Sequence, residues 1–112
     1  MKIDEKIAVV TGAASGIGNA VAHRLARGGA AMVGMVDLTD DVADAAGELN
    51  SKIGQTAAIA FQGDVTDREF RAHVFHELGK QDVVRICVPA AGILRDAMAV
   101  KVNPDTHEAE LY

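Results

Sequence analysis

The sequence predicts an α/β fold, a doubly wound parallel sheet with helices on both faces, and three observations carry that expectation. Short apolar runs alternate with longer segments whose apolar residues recur at helical spacing. Each of the three helical segments closes on glycine, at Gly28-Gly29, Gly54 and Gly79. Of the 112 residues, 49% are hydrophobic, mostly Ala, Val and Ile with no Trp, so thin layers of helix and strand can approach closely.

The elements follow in order. Residues 7–11 form a β-branched run that ends at a glycine-rich turn, Gly12-Ala-Ala-Ser-Gly-Ile-Gly18. From Ile17 onward, Ile17, Ala20, Val21 and Leu25 mark one face of a helix that Gly28 and Gly29 stop. Residues 31–36 read as a second buried strand. Thr39 is placed as an N-cap before Asp40 and Asp41, acids that suit the positive end of a helix. Val42, Ala45, Ala46, Leu49 and Ile53 give this second helix an apolar face, and Gly54 ends it.

Residues 57–61 are a third strand. Thr66 and Glu69 have capping-box spacing ahead of a third helix carrying Phe70, Val74 and Leu78. Residues 83–88 are the fourth strand. Strands alternating with helices of about a dozen residues imply repeated right-handed β-α-β units and a parallel sheet. Beyond Gly92 the pattern changes: residues 99–102 and 108–112 alternate weakly around Asn103-Pro-Asp-Thr106, which suits a turn, so a C-terminal β-hairpin is expected. Residues 1–92 are then one half-domain and 93–112 a tail or hairpin.

Charge and cysteine usage narrow the function. A net charge of -5 offers no basic field for a nucleic-acid backbone or an acidic membrane surface. Cys87 is the only cysteine, which excludes an internal disulfide and fits a reducing compartment. The longest apolar stretch, residues 28–36, is far short of the roughly 20 residues of a membrane span, and a cytoplasmic location is expected. A small soluble ligand remains as the expected partner.

The chemistry concentrates at the first turn. Glycines between a buried strand and a helix let backbone N–H groups and the positive helix end approach a diphosphate without obstruction. The spacing here, Gly12-x-x-x-Gly16-x-Gly18, is longer than G-x-G-x-x-G, and a tight turn that binds nothing is the competing reading. Asp37 shifts the balance. It closes the second strand nineteen residues after Gly18, where a dinucleotide fold places a carboxylate that accepts the adenosine ribose hydroxyls. A carboxylate there repels a 2'-phosphate. The loop carries Ser15 rather than a basic residue, and Leu38 and Thr39 are uncharged, so NAD is favoured over NADP as the cofactor.

Together, Thr11-Gly-Ala-Ala-Ser-Gly-Ile-Gly18, Asp37, Gly63-Asp64-Val65-Thr66 and Ala90-Ala-Gly92 resemble the amino-terminal half of a short-chain dehydrogenase/reductase, of the 3-oxoacyl-carrier-protein reductase type. The resemblance runs from Lys6 to about Asp96. It implies a Rossmann-like sheet, here partial, with strand order 3-2-1-4. It also implies that Gly12, Ser15, Gly16, Ile17 and Gly18 line the diphosphate and that Asp37 and Leu38 hold the adenosine ribose. Asp64 and Val65 would meet the adenine edge, with Ala90, Ala91 and Gly92 passing beneath the adenine ribose.

Two departures from the family pattern stand out. Pro89 and Ala90 replace the two asparagines usual after the fourth strand, and Arg85 falls where relatives often carry an acid. Arg85 reads as a surface change unless it pairs with Asp82. A larger departure is the missing chemistry. The family transfers hydride with a tyrosine, a lysine four residues later and a serine, whereas here the one tyrosine is Tyr112 and the serines are Ser15 and Ser51. No catalytic residue is therefore assigned, and none for a metal. His73, His76 and Glu77 share a helical face but suit solvent better than a metal, and Cys87 suits a buried small hydrophobe. His23, Arg24 and Arg27 read as the wet face of the first helix; Arg95 and Asp96 follow the Ala-Ala-Gly turn on the side where the resemblance implies substrate entry, and a surface ion pair is the competing reading.

Three readings follow. The first is the NAD-binding, truncated portion of an oxidoreductase acting on a carbonyl or alcohol, inactive by itself, whose substrate and catalytic half is absent. The others are a free-standing NAD-binding module and an assembly subunit. Partners expected are NAD(H), and a second copy or a complementary C-terminal half, because a fourth strand left at the sheet edge invites pairing.

Overall fold

In the computed structural model, residues 5–90, 101–102 and 109–110 are described. Strands β1 (Ile7–Thr11), β2 (Met32–Asp37), β3 (Ala58–Gln62) and β4 (Val84–Pro89) form one parallel sheet in the order β3-β2-β1-β4. Helices α1 (Gly16–Arg27), α2 (Asp41–Ile53) and α3 (Arg68–Gly79) connect them. The expected doubly wound order is the observed one.

Strand alternation sorts the apolar residues onto two faces. Ala8 and Val10 of β1, Val33 and Met35 of β2 and Ala58 of β3 pack with Ala22, Leu25 and Ala26 of α1 and Val42, Ala45, Ala46 and Leu49 of α2. The opposite face sets Ile7, Val9, Met32, Val36 and Phe61 against Val74 and Leu78 of α3. Gly34 makes the second contact possible, since a Cβ there would stand 2.6 Å from Leu78 Cδ1. A sheet with an apolar residue on both sides of every central position cannot alternate polar and apolar, which is why β1 and β2 read as continuous runs.

The face of α1 differs from the one the periodicity predicts. Ile17 and Ala20 are exposed and Val21 is half-buried, while Gly18, Ala22, Leu25 and Ala26 are the buried stripe. Gly18 sets this rotation. Any side chain at Gly18 would collide with the Gly12 carbonyl, so the backbones meet directly and the small residues must face the sheet. At the far end the helix closes as expected: Gly29 is left-handed (φ 99°), with the Gly29 N–H donating to Ala26 O at 3.2 Å and the Ala30 N–H to Leu25 O at 3.1 Å.

The two N-caps expected at threonines are corrections, whereas Gly54 ends α2 in the left-handed conformation as expected. Asp40, rather than Thr39, is the N-cap of α2, and its side chain makes no capping bond; the Thr39 carbonyl accepts the Val42 N–H at 3.4 Å. Asp67 caps α3 by accepting the Glu69 N–H at 2.9 Å. Thr66 does not form the expected capping box, because its hydroxyl and N–H both turn back to Asp64 Oδ1, at 2.7 and 2.8 Å. A nearer carboxylate wins the helix end.

Asn50 joins α2 to β3. Its Oδ1 accepts the N–H groups of Ala57 and Ala58, both at 2.7 Å, and its Nδ2 donates to Ala58 O at 3.0 Å. Nothing in the periodicity marks this residue. On the other side of the sheet, β4 pairs with β1 through a register shift that leaves Arg85 as the extra residue between Val84 and Ile86. Arg85 is exposed. Among the described residues the ion pairs are Lys52 with Glu48 and Lys80 with Glu77, so Arg85 does not pair with Asp82. Cys87, opposite Val9, is half-buried rather than fully enclosed, and burial raises its thiol pKa.

The described part of the C-terminal hairpin is β5 (Lys101–Val102) antiparallel to β6 (Ala109–Glu110), with Lys101 opposite Glu110. Its expected turn at Asn103 to Thr106 lies outside the described residues, as do Arg95 and Asp96.

Candidate nucleotide-binding site

The strands end in register: Thr11 lies beside Val36 and Pro89, and Asp37 beside Gln62. Consequently every expected site segment leaves the same carboxyl edge of the sheet. Gly12 follows β1, Leu38 follows Asp37 at the end of β2, Asp64 and Val65 follow β3, and Ala90 follows β4. That edge lies where helix connections part to opposite faces, the place at which open α/β sheets bind ligands.

The glycine-rich turn is shaped by two left-handed residues, Gly12 (φ 64°) and Gly16 (φ 61°). Gly18 then admits α1 against the Gly12 carbonyl. Ser15 is the N-cap of α1 in extended conformation, and its side chain makes no capping hydrogen bond. The first turn of α1 therefore has neither a side-chain cap from Ser15 nor an acid of its own to compete for its N–H groups. Ser15, Gly16 and Ile17 are all exposed.

Asp37 faces this turn. Its Oδ2 accepts the Ala14 N–H at 3.0 Å, its Oδ1 accepts the Thr39 N–H at 3.2 Å, and the Ala13 N–H donates to Val36 O at 3.0 Å. The third loop is tied to the same place, since the Gly63 N–H donates to Asp37 O at 2.9 Å and Gln62 Nε2 to Leu38 O at 3.3 Å. Asp64 Oδ1 receives both Thr66 donors, which hold its carboxyl below the ordinary range. Val65 is half-buried against the α3 face, with its carbonyl taking Arg71 Nη1 at 2.7 Å.

Two large apolar side chains are exposed beside this edge, Ile17 (41%) and Leu38 (67%). Ala90 is buried with the α1 and α2 core, where the small side chain fits. Ala91 and Gly92 lie outside the described residues. Asn19 was missed by the sequence reading: one turn into α1, its Nδ2 donates to Ala13 O at 3.2 Å. Its sequence signal is a polar residue next to the glycine-rich turn.

Other candidate clusters go elsewhere. The His73 ring stands edge-on to Phe61 with centroids 6.0 Å apart, and Glu77 is 3.1 Å from Lys80. Among the described residues no three His, Cys, Asp or Glu side chains group so as to hold a metal ion. Arg24 and Arg27 are exposed, while His23 is half-buried.

A glycine-rich turn, a helix end and a strand-end acid at one edge define the dinucleotide-binding class of α/β proteins. The chain belongs to the short-chain dehydrogenase family, whose family model, described as short chain dehydrogenase, matches residues 6–111. It is similar to the NAD-dependent glycerol dehydrogenase of Listeria innocua, 41% identical over 78 residues covering 70% of this chain and 29% of that protein. The 3-oxoacyl-acyl-carrier-protein reductase of Pseudomonas aeruginosa is 33% identical over 109 residues, 94% of this chain and 42% of that protein. Among solved structures, L-sorbose reductase from Gluconobacter frateurii, complexed with NADPH and L-sorbose, superposes with a TM-score of 0.63 at 31% identity, over 71% of this chain and 31% of that one. The chain thus spans well under half the length of these relatives. The family is one of oxidoreductases that use nicotinamide cofactors. Among the described residues no helix is long and apolar enough to cross a membrane.

Proposed function

We propose that this chain supplies the NAD-binding part of a short-chain oxidoreductase that moves hydride between a nicotinamide cofactor and a carbonyl or alcohol substrate. One observation carries the choice of NAD: the Asp37 carboxylate stands at the end of β2 against the glycine-rich turn, bonded to the Ala14 N–H. Ribose hydroxyls can donate to such a carboxylate, whereas a 2'-phosphate meets its charge at close range. The relatives divide on this point, one being named NAD-dependent and another having been crystallised with NADPH. Asp37 decides it.

The residues assigned are Gly12, Ser15, Gly16, Ile17 and Gly18 for the diphosphate, Asp37 and Leu38 for the ribose, Asp64 and Val65 for the adenine, and Ala90, Ala91 and Gly92 beneath the ribose. Exposed Ile17 and Leu38 supply apolar contact to the ligand. Backbone N–H groups, small side chains and a strand-end acid suit binding rather than the chemical step, and binding is what these residues are assigned. A free-standing NAD-binding module shares every feature of this site.

Calorimetric titration of the chain with NAD and NADP tests the reading. Tighter binding of NAD is expected. Equal or tighter binding of NADP overturns the role given to Asp37, and binding of neither overturns the nucleotide site.

A further inference from the structure

One peptide unit of the glycine-rich turn, that joining Ala13 to Ala14, has both of its polar groups held by side chains. Its carbonyl, Ala13 O, accepts Asn19 Nδ2 at 3.2 Å from α1, and its N–H, on Ala14, donates to Asp37 Oδ2 at 3.0 Å at the end of β2. Ala13 is itself fully buried, with its own N–H on Val36 O at 3.0 Å. The plane of this peptide is thereby fixed from two sides before the chain reaches Ser15 and the left-handed Gly16.

We infer that Asn19 is a positioning residue for diphosphate recognition, acting together with Asp37 by locking the 13–14 peptide. This rests on the nicotinamide-nucleotide reading of the site. Glycines give this turn added backbone freedom, so its N–H groups converge on an anion only if something fixes the intervening peptide. Asn19 does this from the first turn of α1, through its hydrogen bond to Ala13 O. Through the shared peptide, the ribose acid and the phosphate turn become one unit: a change at Asp37 reaches the diphosphate as well as the ribose.

The alternative is that Asn19 only stabilises the loop. Ligands that differ in the phosphates separate the two. The intact chain and its Asn19→Ala and Asn19→Gln variants are titrated with ADP and with adenosine, followed by NMR shifts, with thermal melts alongside. Asn19→Ala is expected to bind ADP about three- to tenfold more weakly, the loss of one net hydrogen bond, with adenosine binding unchanged. Because alanine is the better helix former, the melting temperature stays near that of the parent. Asn19→Gln, which keeps an amide donor, recovers ADP binding toward the parent.

Equal ADP affinity in parent and Asn19→Ala overturns the inference, as does equal weakening of ADP and adenosine, or a Gln variant as weak as Ala. A parent chain that binds neither ligand overturns the nucleotide reading itself, an outcome distinct from a parent that binds and a variant that binds equally well.

Discussion

Asp37 and Ala14, 23 residues apart in sequence, are joined by a 3.0 Å hydrogen bond from the Ala14 N–H to Asp37 Oδ2. The bond places the acid that ends β2 directly against the turn that follows β1. Under the proposed function, one carboxylate would serve both as a ribose acceptor and as a brace for the glycine-rich turn.

Replacing it should cost both functions. Asp37→Ala is expected to weaken NAD binding by about tenfold or more, since hydrogen bonds to a charged group contribute about 1.5–3 kcal/mol, and to erase the preference over NADP. Paired calorimetric titrations check this; a variant that gains NADP affinity while keeping that for NAD would show the brace to be dispensable.

Glycine substitutions should change stability in opposite directions. A Cβ at Gly18 runs into the Gly12 carbonyl, and backbone against backbone has little room to give, so Gly18→Ala is expected to lose about 1–3 kcal/mol or more. Gly47 is exposed inside α2 and a Cβ there meets nothing within 4 Å, so Gly47→Ala should gain about 0.5–1 kcal/mol. Urea denaturation midpoints report both.

Asn50 holds the start of β3 through three hydrogen bonds. Asn50→Ala leaves the N–H groups of Ala57 and Ala58 without their partner, and a loss of about 2–3 kcal/mol is expected. Asn50→Asp retains the acceptor and should fall between the two. If Asn50→Ala melts with the parent, the α2 to β3 tie is not a determinant of stability.

Acidification should weaken the fold through His23. Partial burial, then the charges of Lys52 and Arg27, lower its pKa from the ordinary 6.5, with Glu48 opposing. The unfolded chain therefore takes up the proton more readily than the folded one. Stability from this residue is complete above about pH 6.5 and is lost as pH falls through the lower folded-state value. Denaturation midpoints from roughly pH 7.5 to pH 5 should fall more for the parent than for His23→Gln; parallel curves would assign the loss elsewhere.

Much of this was legible in the residues. Apolar runs and helical spacing located all seven elements of the sheet domain, because burial on both faces of β1 and β2 leaves an unmistakable continuous pattern. Three local choices were not legible. Thr39 and Thr66 are good caps by type, yet Asp40 and Asp67 occupy the helix starts, and Thr66 is taken by Asp64. Periodicity placed Ile17 and Ala20 on the inner face of α1, whereas the backbone contact at Gly18 turns them outward. That rotation is what leaves Ile17 exposed at the site edge.

By itself, then, the sequence determined the alternation of strands and helices, the glycine turn and the strand-end acid, since these are written in residue type and spacing along the chain. Only the tertiary structure decided that Asp37 and Asn19 hold the same peptide of that turn, that Asn50 ties α2 to β3 and that Arg85 is the bulged residue of β4. The physical reason is that such contacts depend on the register between strands and the rotation of a helix, which are fixed by packing between segments and leave no periodic trace within any one of them.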